Sequence, residues 1–222
     1  MKKIAFITAI ALVLCLTGTA EAVKNWNAKF QLHYAGAHDA KVNTCSFEVT
    51  DCGSDIVVDG GAGGQGADNS RFDIYVIAID TEGIAGLRYG ITCIADDYFF
   101  YGWTKCSDLE IPTDPWPACG GGNAQTWGFE KPGGHITVGI IDVYVYGTAT
   151  TLCTAEDPRV GFAEWCDGSS PEPFCNKTNE VAPAVKDLYF GCVGFNGTSG
   201  VSRCDVIATE KASWGAIKAL YR

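Results

Sequence analysis

Three aspartates are the first candidates for chemistry in this sequence, because they could hold a calcium ion. Residues 63–70, GGQGADNS, fit most of the calcium-binding nonapeptide pattern G-G-x-G-x-D-x-U-x. Asp68 would supply a carboxylate and the backbone its carbonyl oxygens, and a lone ion could be shared with Asp59 and Asp73. However, the pattern occurs once, and Ser70 stands where a large apolar residue should pack. A flexible surface loop is therefore the favoured interpretation, and we expect no obligatory cofactor.

Paired carboxylates are the second candidate, since glycosidases use two of them across a cleft. Clusters occur at Asp96-Asp97, at Asp108, Glu110 and Asp114, and at Glu156-Asp157. Acidic loops are expected in any protein of formal net charge −10, so these clusters favour solvated surface over catalysis. The nucleophile elbow, the H-E-x-x-H zinc motif and the phosphate-binding P-loop motif do not occur in the sequence. We therefore expect a protein without enzymatic activity, with a carboxylate-dependent, glycosidase-like hydrolase as the alternative.

Tryptophans are the third candidate, because aromatic rings stack on sugar faces and anchor protein partners. Trp103, Trp116 and Trp127 are proposed as ligand-binding residues. Trp116 is the strongest of them, because prolines on both sides fix its loop. For each single tryptophan, packing in the core or under a disulfide is the competing interpretation.

The cysteines indicate a disulfide framework in an exported protein. One of the 11 cysteines, Cys15, lies in the leader described below. An even set remains: Cys45, Cys52, Cys93, Cys106, Cys119, Cys153, Cys166, Cys175, Cys192 and Cys204. Local pairing is the simplest connectivity, and it would join Cys45 to Cys52, Cys166 to Cys175 and Cys192 to Cys204, with the other four left open. Structural zinc is disfavoured, because no C-x-x-C spacing occurs.

The N-terminus predicts export through a secretory signal peptide. Residues 1–22 contain two lysines, an apolar run and an A-x-A cleavage site. No later apolar run is long enough to span a membrane, so we expect a secreted or surface-bound protein. Its negative charge excludes nucleic acid as a partner, because a phosphate backbone would be repelled.

Hydrophobic patterning predicts an antiparallel β-sandwich with disulfide-stapled loops. Strands are expected in residues 28–35, 72–79, 86–94, 97–106, 135–147, 187–195 and 203–209. Residues 72–79 are apolar on both strand faces, which is typical of a central strand covered on both sides or of a sandwich strand at a sheet junction. A C-terminal amphipathic helix is expected, with Trp214, Ile217 and Leu220 on one face. The predicted organisation is a signal peptide (1–22), a β-sandwich domain (23–209) and a helical tail (210–222).

Several of these segments resemble a group of uncharacterised secreted bacterial proteins with a Cys- and Trp-rich β domain. The matching runs are GIAGLRYGITC, FYGWTKCSD, NAQTWG, ITVGIIDVYV and the terminal WGAIKALYR. The group has no established activity, so the resemblance supplies no catalytic residues. It gives the tail a second interpretation, a sorting or anchoring signal, beside that of a packed last helix.

A weaker similarity points to cohesin-like and immunoglobulin-like sandwiches. It is carried by the FDIYVIAID strand and the step into the strand that follows. The leading functional hypothesis is a secreted or cell-surface binding and adhesion module whose ligand is a glycan or a protein. There are two alternatives to this hypothesis, namely the hydrolase described above and a structural component of the envelope or matrix.

Overall fold

A computed structural model describes residues 24–48, 57–58, 71–94, 98–146, 150–181, 183–196 and 198–204. The predicted signal peptide, tail helix, Asp59, Asp68 and the Asp96-Asp97 pair lie outside these residues. Within them, no helix has the length and hydrophobicity that a membrane span requires.

The described chain is almost entirely β-structure. Its strands are β1 (Lys29–Ala37), β2 (Val57–Val58), β3 (Arg71–Thr81), β4 (Ile84–Cys93), β5 (Tyr98–Lys105), β6 (Leu109–Thr113), β7 (Gly122–Lys131), β8 (Gly134–Val145), β9 (Thr150–Ala155), β10 (Glu164–Cys166), β11 (Cys175–Lys177) and β12 (Cys192–Phe195). Short 3-10 helices span Thr178–Glu180 and Pro183–Tyr189. The predicted strand over 187–195 is therefore half wrong, because its first residues end a helix.

These strands form two sheets, and the described pairings are antiparallel except for that of β2 with β12. The front sheet has the order β1-β3-β8-β5. The back sheet runs β11-β10-β4-β9-β12-β2, and β7 pairs with both β4 and β6. The predicted antiparallel sandwich is confirmed.

The main core lies between the sheets, and a second apolar cluster lies on the outer face of the front sheet. Tyr75, Ile77, Ile79 and Ile140 form this second cluster, and all four are buried. Strand β3 is thus covered on both faces, as its apolar pattern predicts. Alternating apolar and polar residues in β1 would suit a strand with one solvated face, but the polar residues Lys29, Gln31 and His33 are buried too.

Residues 38–48, named here the cover loop, supply part of that second covering. Phe47 stacks on Tyr75 with ring centroids 4.7 Å apart, and its carbonyl accepts a hydrogen bond from Thr137 Oγ1 at 3.0 Å. The Tyr75 hydroxyl donates to the carbonyl of Thr44 at 3.4 Å, and burial raises the pKa of Tyr75. The loop is therefore packed onto the sheet along its length.

Disulfides tie distant segments together more often than local ones. Cys45 pairs with Cys106, Cys93 with Cys119, Cys153 with Cys192, and Cys166 with Cys175. Cys204 is disulfide-bonded as well. Of the three local pairs expected, Cys166–Cys175 is correct, whereas Cys45–Cys52 and Cys192–Cys204 are wrong. Cross-strand register explains one error, because Cys192 lies directly opposite Cys153.

We predict that the Cys45–Cys106 disulfide stabilises the fold more than Cys166–Cys175 does. The partners are separated by 61 residues in the first pair and by 9 in the second. Loop-closure entropy gives about 4 and about 2.5 kcal/mol for loops of these lengths. Urea unfolding of C45S/C106S and of C166S/C175S measures both values. An equal or smaller loss for C45S/C106S would contradict the prediction.

Candidate functional site

The three tryptophans proposed to bind ligand pack in or against the main core, and one of them, Trp103, also lines the cleft described below. Trp127 is 5% exposed and donates its indole N–H to the carbonyl of Cys106 at 3.0 Å. This burial leaves no ring face on which a ligand could stack.

Trp103 and Trp116 pack against each other at the margin of the main core. Their rings meet edge to face at 5.0 Å, and Trp116 meets Tyr89 in the same way at 5.3 Å. Trp103 lies opposite the buried Ile141 in the strand register, which places it on the core face of the front sheet. It also covers Gly139, where any side chain would collide with the indole.

Two carboxylates that the alternative hydrolase hypothesis would use, Glu110 and Asp157, already hold structural contacts. Glu110 accepts hydrogen bonds from Trp103 Nε1 at 2.8 Å and from Asn123 Nδ2 at 3.0 Å. Asp157 is fully buried and forms ion pairs with Arg88 and Arg159, both near 3.5 Å. Glu110 and Asp157 are therefore engaged in separate structural contacts.

A cleft of about 520 Å³ lies on the outer face of the front sheet, where the cover loop meets β3, β8 and β5. Its polar lining includes His38, Asn43, Arg71, Asp73 and Asp142. Asp73 and Asp142 are directly opposite each other on neighbouring strands, so both carboxylates point to the same face. Cys45, whose disulfide fixes the loop to the residue after β5, forms part of the wall.

Asp73 is the anchor of the cover loop. This carboxylate is 2% exposed and shares a hydrogen bond of 2.8 Å with His38 Nδ1. It also accepts from the backbone N–H of Asp39 at 2.9 Å and from Asn43 Nδ2 at 2.6 Å. A buried carboxylate is stable only when its oxygens are satisfied in this way, so sheet and loop depend on each other here.

Arg71 and Asp142 form the second fixed pair of the cleft. The guanidinium donates from Nε at 2.8 Å and from Nη2 at 2.5 Å, a two-point contact that fixes its plane. These hydrogen bonds raise the pKa of Arg71. The Tyr101 ring stacks on the guanidinium with 4.3 Å between the ring centroid and Cζ. His38 Nδ1 is 3.5 Å from Asp142, so the imidazole lies between two carboxylates.

A row of four aromatic residues, named here the aromatic strip, extends from the cleft across the same outer face. It consists of Phe99, Tyr101, Tyr144 and Tyr146. Phe99, Tyr101 and Tyr146 are each more than half exposed. Phe99 contacts Tyr101 edge to face at 4.9 Å and lies opposite Tyr144 in the sheet register. Large exposed aromatic rings side by side are unusual on a monomeric protein and typically mark an interaction surface.

The cleft is poorly suited to a cation, although His38, Asp73 and Asp142 place ligand atoms within 4.8 Å of one another. Each carboxylate already accepts hydrogen bonds, and the Arg71 guanidinium adds a positive charge beside them. Of the three aspartates in the calcium hypothesis, Asp73 alone is described, and it serves as a loop anchor. Calcium binding by Asp59, Asp68 and Asp73 stays a prediction.

Sequence reasoning missed this cleft, although a signal was present. Asp73 and Asp142 each lie among the apolar residues of a long strand. An acid on a strand that is buried on both faces has to be paired, and such pairing is common at functional sites. What no pattern supplies is the register that brings the two acids together with His38.

Comparisons with known proteins leave the family open. No family model and no curated protein matches the chain. Among solved structures, the chain is similar to a cohesin module from a Clostridium perfringens family 33 glycoside hydrolase. That likeness has a TM-score of 0.40 and 9% sequence identity, and it covers 76% of this chain and 98% of the module.

We predict that Asp73→Asn destabilises the fold. The amide would leave the buried groups that bond the Asp73 carboxylate, among them the backbone N–H of Asp39 and Nδ2 of Asn43, without a charged acceptor. The expected loss is about 2–3 kcal/mol in the free energy of unfolding. Asp108→Asn is the matched control, since Asp108 is exposed and accepts one backbone N–H, from Gly128 at 2.7 Å. That control should lose less than about 1 kcal/mol. Equal losses in urea unfolding would show that Asp73 is not the anchor of the loop.

Proposed function

We propose that this protein is an extracellular binding module that holds a glycan where the aromatic strip meets the cleft. The observation that carries the proposal is the juxtaposition of exposed rings with a concave, polar wall. Tyr101 connects the two, because its ring stacks on Arg71 of the cleft wall while half of its surface remains exposed. Disulfides among the described residues support an oxidising compartment outside the cytosol.

The size and chemistry of the cleft favour a glycan over a protein partner. About 520 Å³ lies within the range of small-ligand sites, roughly 300–1,000 Å³. Aromatic rings bind the apolar faces of sugars, while fixed planar groups such as those of Arg71, Asn43 and Asp142 bind hydroxyls directionally. A protein partner would instead be expected to depend on the whole strip and little on the cleft.

Charge favours a neutral glycan, or one bearing amino groups, over an acidic one. The chain has a formal net charge of −10, and two carboxylates accompany one guanidinium in the cleft. Acidic polysaccharides would be repelled at low salt, where screening is weak.

One observation favours a second function, hydrolysis of a bond in the bound ligand. Asp73 holds the Nδ1 side of His38, the arrangement that orients an imidazole for proton transfer through its other nitrogen. A water molecule would then be the nucleophile. Release of product from a panel of glycans and glycan esters, abolished by His38→Gln, would support this function over binding alone.

The proposal predicts that Tyr101→Ala weakens glycan binding about tenfold or more, because it removes a ring at the centre of the surface. Isothermal titration against neutral, amino-bearing and acidic oligosaccharides measures the loss. Phe129→Ala is the matched control, since Phe129 is also an exposed aromatic residue but lies on β7 of the back sheet. It should leave binding unchanged.

Two outcomes would overturn the proposal. If no oligosaccharide binds the unmutated protein, the surface does not serve glycans, and a protein partner or a structural role in the matrix takes its place. If oligosaccharides bind but Tyr101→Ala and Phe129→Ala behave alike, the binding site lies elsewhere.

A further inference from the structure

Lys29 and Asp80 form an unusual pair at one end of the front sheet. Lys29 is the first residue of β1, and its backbone lies opposite Ile79, the residue before Asp80. Lys29 Nζ is 3.7 Å from Asp80 Oδ2, which is longer than a hydrogen bond. The side chains are only 9% and 16% exposed. An amine and a carboxyl group are thus held together in a largely dry place.

The backbone at Asp80 is irregular. Its φ of 56° lies in the left-handed region, which costs a non-glycine residue roughly 1 kcal/mol or more. The register with β8 also shifts between Ala78 and Thr81. In a regular strand, neighbouring side chains point to opposite faces, so Asp80 would point away from the face that Ile79 shares with Lys29. The irregular backbone at Asp80 accompanies the approach of its side chain to that of Lys29. Backbone strain of this kind is most often retained where it serves a function.

The surroundings disfavour the charged state of the carboxyl group. Burial raises the pKa of Asp80, and the charges of Lys29 and His135 offset this only in part. Asp80 Oδ2 is buried and has no hydrogen-bond partner among the described residues. A buried ion pair with such incomplete hydrogen bonding gains little over a neutral acid and a neutral amine.

We propose that Lys29 and Asp80 condense in the folded protein to form an intramolecular isopeptide bond. A proton first moves from Nζ to the carboxylate, which gives a neutral amine and a neutral acid. The Nζ lone pair attacks Cγ, and the bond from Cγ to one carboxyl oxygen breaks. That oxygen leaves as water, and it takes with it the proton of the neutral acid and one proton from Nζ. The product is an amide between Nζ and Cγ. No electron transfer and no co-reactant are involved.

Proximity is what makes this condensation favourable here. In free solution, water at high concentration opposes amide formation from an acid and an amine. Two groups fixed by a common sheet have effective molarities of about 10⁵ M or more when well oriented. The reaction also removes two charges from a buried place, so their desolvation cost disappears. The bond would join β1 to β3 in a way that reducing agents cannot reverse.

Other lysine pairs in the same structure provide matched controls. Lys186 Nζ lies 2.9 Å from Glu156 Oε1, closer than Lys29 lies to Asp80, but these side chains are 28% and 27% exposed. Lys24 and Glu130 are 3.2 Å apart and more exposed still. Both pairs are open to solvent, so we expect neither to react. Burial, rather than distance, should therefore separate the reactive pair from the unreactive ones.

Mass spectrometry of the folded, exported protein tests the proposal. After reduction and alkylation, the intact mass should fall below that of the processed chain by one water molecule. Digestion should yield a branched peptide in which Lys29 is joined to Asp80, and trypsin should not cleave after Lys29. Lys29→Arg, which keeps the positive charge but removes the reactive amine, should restore the full mass. Lys186→Arg should leave the mass deficit in place.

Two results would overturn the inference. One is a full intact mass after prolonged incubation of the folded protein, with Lys29 and Asp80 in separate peptides. The other is a loss of water without a branched peptide, because an aspartate can also lose water by closing on its own backbone. Both results leave glycan binding untouched, so the isopeptide bond and the proposed function are tested independently.

Discussion

The outer face of the front sheet is the constraint on which the rest of the structure depends. Strand β3 is apolar on both faces, so one sandwich core cannot bury it. A second covering is required, and the chain provides part of it with the cover loop instead of another sheet. An irregular loop cannot bury its backbone without partners for its polar groups. Asp73 supplies several of those partners, and the Cys45–Cys106 disulfide holds the far end of the loop.

The cleft exists because this covering is incomplete. The cover loop packs over Tyr75 and reaches as far as Asp142. It does not cover the aromatic strip, whose rings are exposed to solvent. The same carboxylates that secure the loop therefore form the wall of the cleft. A site made from anchoring residues is rigid before any ligand arrives. Little side-chain entropy remains to be lost on binding, which is the physical advantage of preorganisation.

The central strands of the sheets can be predicted from the sequence, whereas the disulfide pairs and the cleft cannot. Residues 72–79 and 135–147 stand out because apolar β-formers fill both faces of the strand. Strand β6 is missed because Pro112 and the prolines after it suggest a loop. An edge strand nevertheless accepts proline at a position where a backbone N–H would point away from the neighbouring strand. The cysteine pairs and the cleft follow from register, and no local pattern encodes register between strands far apart in sequence.

Burial also determines how each charged or aromatic residue functions. The tryptophans attract attention in the sequence because they are large, but size favours the core, and Trp127 and Trp165 lie there. Phe99 and Tyr101 alternate with half-buried neighbours along β5, so strand geometry itself turns them outward. The same distinction applies to ions. Arg71 pairs with Asp142 where solvent reaches the guanidinium, whereas Lys29 and Asp80 face each other with little exposure to solvent. The proposed recognition surface and the proposed isopeptide bond therefore lie at points of one sheet that differ in their access to water.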